Sequence, residues 1–145
     1  MKYSNFIILI TALIFTVNLR ITAQCRDKGQ KMITEVFADT EYIHDGHLNV
    51  SKLEEGDKAD IVKSFFSGQP YCLAVKNDEG LQNVDFELLD MDRKVIFSSK
   101  KENNKTFYFK LKTTQKLIIA ISVPEPQNAD EPKSGCVAIL IGLKY

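Results

Sequence analysis

Both histidines of the chain fall in one short run, His44-Asp45-Gly46-His47. Two imidazoles with a carboxylate between them are the beginning of a zinc or copper site, which needs at least one further ligand from elsewhere in the chain. Gly46 disfavours a helical i, i+3 pair, and Asp45-Gly46 reads as a turn. The plainer reading is two exposed turn histidines. Asp90 and Asp92, with Asp85 and Glu87 upstream, offer the oxygen donors that calcium takes, but the twelve-residue loop with its central Gly and closing Glu is missing. Asp also suits a turn, because its side chain accepts hydrogen bonds from nearby backbone N–H groups. His44, His47, Asp90 and Asp92 are therefore weak metal candidates, and the expectation is a chain without metal or cofactor.

Other chemistry finds little support. No Gly-x-Ser-x-Gly nucleophile elbow is present, and Ser67-Gly68 belongs to a turn. No glycine-rich loop cradles a phosphate. A glycosidase built on paired carboxylates stays open, because carboxylates are common and their spacing in space is not written in sequence. No catalytic residue is assigned. Lys100, Lys101, Lys105, Lys110 and Lys112 surround Tyr108. Such a patch can bind an anionic glycan, but Lys on an edge strand also discourages sheet-to-sheet aggregation, and that reading is preferred. Lys+Arg and Asp+Glu both number 19, so no basic excess points to nucleic acid.

Three cysteines, Cys25, Cys72 and Cys136, bear on compartment. Met1 to Asn5 is a short positive start, Phe6 to Leu19 a run dominated by apolar residues, and Ile21-Thr22-Ala23 ends in a small residue. This is the layout of a signal peptide cut after Ala23, and the run is short for a membrane-spanning helix. An uncleaved anchor is one alternative. A cut before Cys25 with lipidation is another, although Gln24 is not the small residue such a site usually has. Export permits disulfides, and an odd cysteine count leaves one thiol over. If the strands beginning near Cys72 and Cys136 are antiparallel neighbours, the two cysteines lie at opposite ends of the sheet, too far apart to bridge. A mid-strand Cys72 among apolar neighbours behaves as a small free hydrophobe. The expected bridge is Cys25–Cys136, tying the N-terminal segment to the last strand.

The elements that must hold these residues are mostly strands. At 145 residues, 44% apolar and 26% charged, the chain suits one folded domain. Over 26–39, Met32 and Val36, with Ile33 and Phe37, recur at helical spacing and predict a short helix lying on the main body, with Gly29 weakening its first turn. From residue 47 onward the apolar period is two. It predicts strands at Asp57–Phe66, Tyr71–Lys76, Asn83–Asp90, Lys94–Ser98, around Phe107–Leu111, around Leu117–Val123 and around Val137–Leu143. Lys100–Lys105 and the proline-bearing stretch 124–134 read as connectors. Short strands separated by turn signals, with no intervening helices, predict an antiparallel sandwich. The last two strands are apolar on both faces and should be central and covered.

The order of Leu53-Glu54-Glu55-Gly56-Asp57, Phe66-Ser67-Gly68-Gln69-Pro70-Tyr71, Val84-Asp85-Phe86-Glu87-Leu88 and Asp90-Met91-Asp92-Arg93-Lys94-Val95-Ile96-Phe97 resembles the bacterial pre-peptidase C-terminal domains. It is also similar to small exported proteins of Bacteroidota. The resemblance spans residues 50–145 and departs at Arg93-Lys94, where the family usually has Gly after the Asp-x-Asp turn. It implies an accessory or binding role and carries over no catalytic residue. Together these readings predict an all-β, jelly-roll-like antiparallel sandwich of about eight strands. The expected layout is signal peptide 1–23, N-terminal helical or irregular segment 24–46, and sandwich 47–145. The expected function is that of a periplasmic or secreted, non-catalytic binding or scaffolding module of the bacterial envelope, with an envelope protein or glycan as partner. A small secreted hydrolase and a lipid-anchored surface protein are the alternatives.

Overall fold

The computed structural model describes residues 24–128 and 131–145. The expected signal peptide lies outside the described residues. Helix α1 occupies 24–37. Nine strands follow among the described residues: β1 (Ile43–His44), β2 (Asn49–Glu54), β3 (Lys58–Phe65), β4 (Pro70–Asn77), β5 (Asp85–Leu89), β6 (Val95–Ser98), β7 (Thr106–Lys110), β8 (Gln115–Ser122) and β9 (Ser134–Leu143). A single helical turn, α2 (Ser99–Glu102), sits between β6 and β7 in what reads from sequence as a polar connector.

All named pairings are antiparallel. Sheet A runs β1-β9-β4-β7, with β2 also pairing β9; sheet B runs β3-β8-β5-β6. From β2 onward the chain alternates between sheets, apart from the β5–β6 hairpin. Each sheet therefore turns one alternating set of side chains onto the other, and the fold is a β-sandwich. Between the sheets lie Leu73, Val75, Phe86, Leu88, Leu117, Ile119, Val137, Ile139 and Ile141, all buried. Aromatic rings fill the remainder: Phe97 stacks on Phe107 at 4.2 Å, Phe107 on Phe109 at 5.3 Å, and Phe65 meets Tyr71 edge-on at 4.9 Å.

β8 and β9 are central, as their two-faced apolar sequences require, and β7 is an edge strand with Lys110 exposed. The segment read as irregular before residue 47 supplies β1, which pairs Ile43 with Leu143 and His44 with Gly142. Sheet A thus takes up chain ahead of the expected boundary.

The outer face of sheet A carries a second apolar layer. Met32 and Phe37 of α1 pack on Cys72, Ala74, Ala138 and Leu140, all buried. Full burial of a Met or Phe side chain contributes about 1.5–3 kcal/mol. The small residues beneath let helix and sheet approach closely. Gly29 belongs to this contact, because a Cβ there would meet Leu48 Cδ1 at 2.9 Å. A glycine that lowers helix propensity thus lets α1 lie close over Leu48 and Val50. The first turn of α1 is held twice more. Cys25 is bridged to Cys136, with Cα atoms 5.3 Å apart, and Lys28 pairs with Asp78 at 2.6 Å. Burial raises the Asp78 pKa, but the Lys28 contact and the backbone N–H groups of Cys136 and Gly80 outweigh it and leave the pKa below the usual carboxylate value.

Candidate functional site: the open side and one end of the sandwich

The strand register explains the cysteine pairing. Along the β4–β9 ladder Cys72 faces Gly142 while Asn77 faces Val137, so Cys72 and Cys136 sit at opposite ends. Cys72 is free and fully buried, and burial pushes its thiol pKa up to about 11 against a smaller opposing effect of Tyr108. It is an inert core thiol. The Cys25 sulfur, committed to Cys136, has no valence left for the thioether of a lipid anchor.

The His44–His47 run is not a simple exposed turn. Asp45 N–H donates to Ile141 O at 2.8 Å, and the chain then leaves the sheet and re-enters it as β2. The run is therefore an interruption in an edge strand. The Asp45 carboxylate turns inward and meets Lys63 Nζ of β3 at 3.0 Å. This ion pair is a strut between the two sheets across their open side. His44 lies against Phe37, ring centroids 5.8 Å apart, with a side chain only 13% exposed. Its Nδ1 accepts from Gly46 N–H, and its Nε2 is buried with no hydrogen-bond partner. Burial lowers the His44 pKa, more than the Asp45 carboxylate raises it. His47 is exposed, 3.6 Å from the same carboxylate. Among the described residues no three His, Cys, Asp or Glu side chains come together as a metal site.

The acidic candidates also separate. Asp85 and Asp90 stand at opposite ends of β5. Asp85 Oδ1 accepts from Ser99 Oγ and is paired with Lys105. Asp90 Oδ1 accepts from Asp92 N–H at 3.0 Å and Lys94 N–H at 2.8 Å, so it builds the β5–β6 turn. Arg93 occupies a left-handed position there, φ +62°, and its guanidinium reaches Asp60 at 2.8 Å. The conformation that a glycine would favour is present without the glycine.

Two clefts flank the Asp45–Lys63 strut. One, of ≈ 300 Å³, is lined by Leu48, Leu53, Ala59 and Ile61 and reaches the core at Ile121 and Val137. The other, of ≈ 210 Å³, lies between Phe65, Phe66, Tyr71, Ile141 and Leu143. The second opens at one end of the sandwich, where the β3–β4 and β7–β8 connections and the C-terminus meet. There Phe66 N–H donates to the Tyr71 hydroxyl at 2.9 Å, Ser67 N–H to Thr114 Oγ1 at 3.0 Å, and Gly68 N–H to Leu111 O at 2.9 Å. Gln69 Nε2 donates to Lys144 O at 2.7 Å. Gly68 takes φ +76° to make the turn.

Every backbone donor from Phe66 to Gly68 is satisfied inside the protein, yet the Phe66 ring is 63% exposed and Tyr145 is 90% exposed. Lys110 and Lys112 are exposed on either side of Leu111, which bridges to Ser67. This end is a basic, aromatic surface on an internally hydrogen-bonded connection. From sequence the stretch reads only as a turn into β4. The signal that it does more, two adjacent Phe residues of which only Phe65 fits the core period, was present. At the opposite end Glu55, Glu125 and Glu131 line a polar cleft of ≈ 230 Å³ beside Lys133, whose N–H donates to Glu55 Oε2.

No helix among the described residues is long and apolar enough to cross a membrane. No protein-family model and no curated protein sequence matches the chain. Among solved structures the fold is similar to that of Aeromonas hydrophila PliG, a periplasmic lysozyme inhibitor of g-type lysozyme. The TM-score is 0.51 at 9% sequence identity, over 67% of this chain and 84% of that one, a similarity of fold.

Proposed function

We propose that this protein is an exported, non-catalytic binding module whose partner is a cell-wall hydrolase of the lysozyme type, engaged through the Phe66 end of the sandwich. The observation that carries the reading is the exposed Phe66 ring on a connection whose backbone N–H groups are all paired internally. A rigid aromatic projection loses little entropy on docking, and such residues dominate interface energetics. Lys110 and Lys112, on either side of Leu111, suit a target whose cleft carries catalytic carboxylates, as glycoside hydrolases do. The fold similarity to a periplasmic inhibitor supports the same choice of partner. The Cys25–Cys136 bridge suits an oxidising compartment. The turn motifs resembling pre-peptidase C-terminal domains point to an accessory role as well.

The test is a lytic assay on peptidoglycan with g-type, c-type and i-type lysozymes and increasing amounts of the purified protein. Stoichiometric inhibition of at least one class, lost on Phe66→Ala, is the expected result. Full lytic activity of all three at a large excess of protein overturns the proposal. Peptidoglycan hydrolysis by the protein itself, lost on Glu125→Gln, would instead establish the hydrolase reading.

A further inference from the structure

Among the described residues no further layer covers the outer face of sheet B, and its residues fall into rows across the strands. One row is apolar on all four: Val62 of β3 faces Ile118 of β8, which faces Leu89 of β5, which faces Val95 of β6. Ile118 and Leu89 are buried by their neighbours, but Val62 is 55% and Val95 42% exposed. The rows on either side differ in charge. Asp60, Ala120 and Glu87 form the acidic row, with Arg93 on Asp60; Ser64 and Lys116 form the basic one.

β3 is the free edge of this sheet and, although Lys58 and Lys63 lie on it, the longest uninterrupted edge strand among the described residues. It pairs β8 without a break over eight residues and contains neither Pro nor Gly. The other edges are blunted. β6 has four residues and a register shift, β7 has five and carries Lys110, and the remaining edge of sheet A is interrupted between β1 and β2. Half of the backbone N–H and C=O groups of an edge strand point outward and can pair a further strand.

We propose that β3 pairs with β3 of a second copy of this chain, antiparallel about a two-fold axis at Val62, joining two B sheets into one of eight strands. The register follows from charge and parity. Opposed residues in an antiparallel pair share a face, so the axis must pass through a residue. An axis at Asp60 or Lys63 sets like charges against each other. An axis at Ile61 sets the Asp60 carboxylate against Val62. An axis at Val62 pairs Val62 with Val62, Asp60 with Ser64 and Ile61 with Lys63. It makes the apolar row continuous across both copies, and it brings the Asp60–Glu87 row of each into line with the Ser64–Lys116 row of the other. The contact is isologous and closes at two copies. In this register Phe66 falls opposite Lys58 of the second copy, at the end of the pairing, and Ser67 and Gly68 lie beyond it; the inference does not rest on the proposed lysozyme partner, and its test reads self-association alone.

Sedimentation equilibrium over a range of concentrations, with non-reducing electrophoresis of cysteine variants, tests it. The wild-type chain sediments as a dimer, and Val62→Lys as a monomer that keeps the wild-type far-ultraviolet circular dichroism. Val62→Cys, with residues 62 of the two copies directly opposed, forms an interchain disulfide, and Ser64→Cys does not. A wild-type chain that stays monomeric at millimolar concentration overturns the proposal, as does cross-linking of Ser64→Cys as efficiently as Val62→Cys.

Discussion

The outer faces of the two sheets are built from similar strands and finished differently. At the centre of sheet A, β9 turns Ala138 and Leu140 outward; at the centre of sheet B, β8 turns Ile118 and Ala120 outward. Ala138 and Leu140 are fully buried under α1, which is clamped by a disulfide and an ion pair. The β8 side chains are sheltered only by neighbours on their own sheet and by the Arg93 side chain, which must cross β8 to reach Asp60. An apolar outward face on a central strand therefore does not say what covers it. On sheet A the cover is in the same chain, and the small residues beneath it are spaced for a helix. On sheet B the apolar row runs out to the free edge at Val62, where another strand can continue it.

The largest test of this contrast is the clamp. The bridge joins residues 111 apart, and in the chain-entropy model its loss costs about 4–5 kcal/mol. Cys25→Ser should lower the urea unfolding free energy by about that amount, and a change below about 1 kcal/mol would show that α1 docks without it. The next test is a matched pair. Ala138→Leu overpacks the helix contact and should cost about 1–3 kcal/mol, whereas Ala120→Leu on the bare face should stay within about 0.5 kcal/mol. Equal losses would mean that the two faces are equally closed.

Two smaller effects follow at the margins of these faces. Arg93→Gly relieves a left-handed residue at about 1–2 kcal/mol and removes an exposed ion pair of about 0–1 kcal/mol, so thermal stability should hold or rise slightly. A clear loss would show that the guanidinium is an important cover for sheet B. His44, beside Phe37 at the rim of the helix layer, has its folded pKa depressed by burial below 6.5. The unfolded chain then takes up the proton first, so stability falls as pH drops through 6.5 and below. His44→Gln should flatten that slope between pH 7 and pH 5.5 in chemical denaturation. An unchanged slope would place its origin elsewhere.

Much of the sandwich was legible because it rests on period-two patterns with one dry face. Val84-Asp85-Phe86-Glu87-Leu88 reads as a half-buried strand, and Cys72 against Cys136 is excluded if their strands are antiparallel neighbours, as β4 and β9 are. What escaped notice has physical reasons. β2, Asn49–Glu54, is an edge strand whose polar side chains blur the alternation, and β1 is two residues held by β9 rather than by its own propensity. His44 reads as a turn residue because its burial comes from Phe37, which packs there from α1. The candidate contact surface was least legible. Ser67-Gly68-Gln69-Pro70 is ordinary turn chemistry, and its rigidity depends on Tyr71, Leu111 and Thr114, the last two more than forty residues away.

The central claim is that the molecule acts by holding another protein against its Phe66 end. Isothermal titration of the disulfide-bonded protein into g-type, c-type and i-type lysozymes in turn addresses it most directly. The account predicts a saturable one-to-one complex with at least one of them, weakened about thirtyfold or more by Phe66→Ala, about 2 kcal/mol or more for a central aromatic, and unaffected by Glu125→Gln at the far end. Binding that Phe66→Ala leaves intact, or no heat of binding with any of the three at high micromolar concentrations of both proteins, would contradict it.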